Sequence, residues 1–161
     1  MKRILWLASA ALCSASLAQA GNVQFNKGPI CSDGGLVATC SAKLTGLGNG
    51  DIDISLAVLS EPVAVTTLCK NPKGKASPGQ NPAAITDVGG DTHIDASKIK
   101  NGSLSFSLST DVPPTPTWQE AGCPSSQWSS SINDVLFEGE TLQLSVYQGG
   151  IKVAEQFFTF P

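Results

Sequence analysis

Residues 51–58 read Asp51-Ile52-Asp53-Ile54-Ser55-Leu56-Ala57-Val58, and this strict alternation puts Ile52, Ile54, Leu56 and Val58 on one face of an extended chain. A helix would scatter those four side chains around its circumference, whereas a strand buries them together. The same period returns at 103–109 with Leu104, Phe106 and Leu108, and at 141–148 with Leu142, Leu144 and Val146. No stretch after residue 20 sustains the helical period of about 3.6 residues. Further strands are expected at 36–45, 63–69, 92–99, 129–137 and 151–160, with residues 21–30 as a loose arm. Asn101-Gly102, Glu138-Gly139 and Gly149-Gly150 supply turn residues that accept positive φ.

Seven to nine short strands, each with one apolar and one polar face, predict an all-β fold. The first choice is a two-sheet antiparallel sandwich of the immunoglobulin-like kind, and the alternative is a small β-barrel. No second composition regime and no fixed repeat is visible, so residues 21–161 are expected to form one domain.

Residues 1–20 have the layout of a cleavable secretory signal of bacterial type. Lys2-Arg3 leads into the apolar run Ile4 to Cys13, and Ala18-Gln19-Ala20 offers small residues before Gly21. The run is shorter than the roughly 20 apolar residues a spanning helix needs, and no membrane insertion is expected. A lipidated Cys13 is the competing reading, but Ala10-Ala11-Leu12 lacks the small residues that such a site wants. Export would leave a secreted chain, extracellular or periplasmic, of 141 residues without arginine, its formal charge moving from −3 to −5. An acidic chain without arginine argues against nucleic acid as a partner.

After the signal four cysteines remain, Cys31, Cys40, Cys69 and Cys123, which in an exported chain read as two disulfides. A zinc site is disfavoured, because no Cys-x-x-Cys pair occurs and His93 is the lone histidine. If successive strands run antiparallel as neighbours, Cys69 and the loop bearing Cys123 emerge at the same end. Cys40 then lies far from Cys69 and within reach of Cys31 through Gly34-Gly35. The expected pairs are Cys31–Cys40 and Cys69–Cys123.

Two connections exceed hairpin length, Lys70 to about Gly90 and Thr110 to Gln127. Long loops on a rigid scaffold are a common place for binding residues. The candidates there are Lys73, Lys75, Gln80, Asn81, Trp118 and Trp128, the tryptophans as stacking platforms or as caps on the open end of the sandwich.

The run Cys69-Lys70-Asn71-Pro72-Lys73-Gly74-Lys75-Ala76-Ser77-Pro78-Gly79-Gln80-Asn81, with Ala38 to Gly48 before it and Cys123-Pro124 and Trp128 after it, resembles a group of small secreted bacterial proteins of unknown function. The resemblance implies export and a small β-domain, and it carries over no catalytic or binding residues. This chain departs from the group in Lys73, Lys75 and Cys31.

A hydrolytic Ser-His-Asp set would have to use His93, yet no Gly-x-Ser-x-Gly elbow is present. The carboxylate pairs Asp51/Asp53 and Glu138/Glu140 flank turns and read as edge protection. Calcium is the one metal worth weighing, at Asp87, Asp91 and Asp95, although the spacing matches no EF-hand loop. Asn101-Gly102-Ser103 is formally a glycosylation acceptor and reads better as a hairpin turn. No cofactor is implied. The sequence therefore favours a non-enzymatic secreted or cell-surface binding or structural module that meets a protein or a glycan through its two disulfide-tied loops. The alternatives are a carrier of a small apolar ligand held between the sheets and a protease inhibitor using Lys73 or Lys75.

Overall fold

The computed structural model describes residues 22–26 and 28–161. The expected signal segment at 1–20, with Cys13, lies outside the described residues. Among them run twelve strands: β1 (Gln24–Phe25), β2 (Ile30–Asp33), β3 (Ala38–Thr45), β4 (Ile52–Val58), β5 (Val63–Lys70), β6 (Ala76–Pro78), β7 (Ala83–Ile85), β8 (Gly89–Ile94), β9 (Ser103–Ser109), β10 (Ser129–Val135), β11 (Thr141–Gln148) and β12 (Ile151–Thr159). One 3-10 turn, Ala96–Lys98, follows β8. No helix among the described residues is long and apolar enough to cross a membrane.

All pairings are antiparallel, and they build three sheets that pack as an all-β sandwich. In the first, β1 and β2 lie end to end along one edge of β3 while β9 lies along the other. In the second, β6 and β7 lie along one edge of β5 and β10 along the other. The third has the order β12-β11-β4-β8.

The alternation in the sequence sets the faces. Ile52, Ile54 and Leu56 of β4 and Leu142, Leu144 and Val146 of β11 are buried. They meet Leu44 of β3, Leu104, Phe106 and Leu108 of β9 and Val63 and Val65 of β5 in one core. Phe137 is fully buried there, with its ring 5.6 Å from that of Phe160. Fully burying an aliphatic or aromatic side chain stabilises by about 1.5–3 kcal/mol, so this cluster is the main favourable term in folding.

Several expectations need correction. Twelve strands form rather than seven to nine, because the connection at 70–90 adds β6 and β7 to β5, the expected loose arm at 21–30 holds β1, and β2 follows it, both pairing with β3. Strands of two to four residues are too short to display an alternating pattern. The stretch 92–99 is not all strand, since β8 ends at Ile94 and the chain turns at Ala96–Lys98. Three sheets stand in place of two, for β10 pairs with β5, and its Val135 N–H bonds Gly35 C=O in the turn between β2 and β3. The barrel alternative is not what forms: among the described residues β8 and β9 belong to different sheets and do not pair, and Asp111 N–H, just past the end of β9, bonds Gly89 C=O of β8.

Neighbour-to-neighbour pairing holds for β2–β3, β5–β6 and β11–β12. Elsewhere the chain changes sheet at almost every connection, so β3 takes β9, β4 takes β8 and β11, and β5 takes β10. Changing sheets lets each strand turn its apolar face to the common core without a tight hairpin.

Candidate functional site

Both disulfides are formed, Cys31–Cys40 and Cys69–Cys123. Such bonds persist in an oxidising, non-cytoplasmic compartment. The first joins directly opposed residues of β2 and β3. The second ties the end of β5 to the connection between β9 and β10. Its position follows from register, since Ser130 of β10 pairs with Cys69 and the segment just before β10 must therefore pass beside it.

The two long connections meet above this bond. Gly79 N–H donates to Thr67 C=O, Gln80 N–H to Ala121 C=O, and Asn81 Nδ2 to Gln119 C=O. Glu120 holds its own turn, for its carboxylate accepts from the N–H of Thr117 at 2.7 Å and from its hydroxyl at 2.8 Å. Those two donors, the backbone one first, hold the Glu120 carboxyl below its ordinary value near 4.5. Ser130 Oγ donates to Pro116 C=O, which fastens the proline run to β10.

Between the connections lies an open groove of about 800 Å³. Val65 of β5 and Ile132 of β10 form its floor, Pro82, Ala84 and Ile85 one wall, and Pro114, Thr115 and Pro116 the other. Asn81, Asp87 and Glu120 supply its polar rim, and no cationic side chain lines it. The size falls within the usual range for ligand sites, about 300–1,000 Å³, and an apolar trough with a few polar groups is their usual character.

Of the residues singled out in the sequence, Asn81 lines this groove. Gln80 is exposed next to it. Lys73 and Lys75 sit apart on the β5–β6 turn, where Asn71 Oδ1 accepts from both of their backbone N–H groups. Trp118 and Trp128 are half-buried and pack on Cys69, Ala121 and Cys123, so they cover the disulfide rather than face the groove. Sequence reasoning missed Asp87 as a rim residue, the Pro114–Pro116 wall and Glu120. The dense prolines at 113–116 were the available signal, because a proline run makes a stiff wall.

A second polar cluster lies on the outer face of β4 and β8. His93 Nδ1 is 2.7 Å from Asp53 Oδ1, and Nε2 is 3.9 Å from Asp51 Oδ2. The hydrogen bond to Asp53, then the charges of Asp53, Asp51 and Asp95, raise the histidine above its ordinary value of 6.5. Asp95 gathers with Asp51 and His93, not with Asp87 and Asp91 as the calcium reading requires. Among the described residues no hydroxyl is hydrogen-bonded to His93, so the histidine has an acidic partner but no nucleophile in place.

No protein-family model matches the chain, and no curated protein matches it.

Proposed function

We propose that the protein is an exported, non-enzymatic binding module whose contact site is the groove between its two long connections. The observation that carries this reading is the groove of about 800 Å³ itself, whose two walls come from separate connections joined at their base by Cys69–Cys123. A site on disulfide-tied loops is preorganised, which lowers the ordering cost of binding. Its lining suits a ligand with an apolar body and a cationic group, the cation meeting Asp87 or Glu120. Export itself rests on the signal-like residues 1–20 and on the two disulfides.

A carrier would need room between the sheets, and that space is occupied by Leu44, Ile54, Leu56, Phe137 and Leu144. An inhibitor loop would present an extended segment to a protease, whereas Lys73 and Lys75 belong to a tight turn closed from Gly74 N–H to Asn71 C=O and from Asn71 N–H to Lys75 C=O.

The test is a titration with short cationic apolar peptides and neutral oligosaccharides, followed by tryptophan fluorescence. Thr115→Arg fills the groove from an exposed position and should weaken binding at least tenfold, while Lys73→Ala with Lys75→Ala should leave it unchanged. Binding that survives Thr115→Arg places the site elsewhere.

A further inference from the structure

At the opposite seam of the sandwich, where the edges of β8 and β9 part, the structure opens a second cleft of about 770 Å³. Lys43, Lys98 and Lys100 line it together with serine hydroxyls of β9, and no carboxylate does. In a chain with net charge −3 this is a concentrated reversal of sign. None of the three lysines forms an ion pair among the described residues, where the lysine pair that forms is Lys152 with Glu155. Lys100 Nζ instead reaches Ser97 C=O at 3.3 Å.

The direction of the strands explains the segregation. On β8, Asp91 and His93 register with Ser55 and Asp53 on the outer face, whereas Thr92 and Ile94 turn to the cleft. The aspartates and the lysines therefore occupy opposite sides of one strand. On β9, the consecutive residues Ser103 to Ser107 all line the cleft, although their side chains alternate between core and solvent. Residues of both parities border the same space along the free edge of the strand, and Lys43, opposite Ser105 on β3, borders it as well. Ser103, at the start of that edge, is bonded to Lys100 through both its N–H and its C=O, and beyond it Ser105 and Ser107 have no strand beside them among the described residues.

We propose that this cleft binds an extended acidic peptide, which adds as a strand to the free edge of β9 and sets its carboxylates against Lys43, Lys98 and Lys100. Backbone pairing would supply affinity and the lysines the selection for acid, the division of labour usual in strand addition. No exposed aromatic ring lines the cleft, so it lacks the stacking surface that a sugar would use.

The probe is a dye-labelled octapeptide of alternating Glu and Thr, with fluorescence anisotropy as the readout. Saturable binding that weakens with salt is expected, since the contacts are exposed. The triple variant Lys43→Gln, Lys98→Gln, Lys100→Gln should lose about tenfold in affinity, the scale of three exposed ion pairs, with an unchanged circular dichroism spectrum. Two N-methylated peptides separate strand addition from charge adsorption. Methylation at every Glu or at every Thr blocks alternate N–H groups, so one version should lose binding and the other keep it. The inference is overturned if the octapeptide does not bind, if the triple variant binds it equally, if the two methylated peptides behave alike, or if an oligogalacturonate competes as strongly as the peptide.

Discussion

Cys69, one residue from the end of β5, is bonded to Cys123 across 54 positions of sequence, with their Cα atoms 5.5 Å apart. In the chain-entropy account, closing a loop of that length stabilises by about 4 kcal/mol, against about 2.5 kcal/mol for the nine-residue Cys31–Cys40 loop. Replacing Cys69 and Cys123 by serine should therefore cost more in denaturant unfolding than the same change at Cys31 and Cys40. The damage should be local first, because Ala121 and the two tryptophans pack on this bond while the main core does not depend on it. Hydrogen exchange should speed up in 117–128 ahead of β4 and β11. Equal exchange rates in both regions would show that the bond does not govern the loops.

Gly79 sits where the two long connections touch. A Cβ placed there would come 2.0 Å from Thr67 Oγ1 and 2.5 Å from the carbonyl oxygen of Ala121, and the second contact is backbone. Gly79→Ala must push the connections apart, at a cost of about 1–3 kcal/mol, the range for overpacking. Gly139 has no heavy atom within 4 Å of the same position, so its added methyl meets nothing, although its φ of +78 carries its own strain. Comparing the two by chemical unfolding, with tryptophan fluorescence to read the loops, separates crowding from backbone strain. A loop signal that stays native in Gly79→Ala would refute the close approach.

The parts of this fold that were legible in the sequence are those with enough residues to declare a period. Ile52 to Val58 declared both the strand and its buried face. The four cysteines allowed three pairings, and the expected one is formed, although the alternating strand count behind it makes β3 and β9 parallel where they pair antiparallel. The β6 and β7 strands, three residues each and one of them ending in Pro78, carry no such pattern. The groove was invisible for a different reason. Its floor joins Val65 and Ile132, which become neighbours only through the pairing of β5 with β10, and local pattern does not encode that register. Of the two readings of the tryptophans, platform or cap, their place beside a disulfide agrees better with the cap, since it makes them part of a small core.

Phe137 fills the centre of the main core and touches Phe160 near the C-terminus. Phe137→Ala should cost about 3–5 kcal/mol, the range for truncating a buried aromatic residue. Phe157 is half exposed on β12, and the same truncation there should cost far less. Thermal or denaturant unfolding of the two variants gives the comparison directly. Similar losses at both sites would mean that the core does not centre on Phe137.

His93 on β8 and Asp53 on β4 are 40 residues apart in sequence, and their side chains meet at 2.7 Å. The hydrogen bond to Asp53 is the largest cause that raises the histidine above 6.5, with the charges of Asp51 and Asp95 adding to it. A group whose folded value is raised contributes stability fully present below its unfolded value, and this is lost as the pH rises through the folded value. The cluster should therefore favour the folded state in mildly acid solution and stop doing so above the raised value. The effect should be small, because the side chains are more than half exposed and solvent screens them. Asp53→Asn removes the leading cause, so the His93 titration followed by NMR should move down toward the ordinary range. Stability at high pH should hardly change, since the neutral imidazole gains little from the carboxylate. An unmoved His93 titration in Asp53→Asn would show that the hydrogen bond is not what holds its proton.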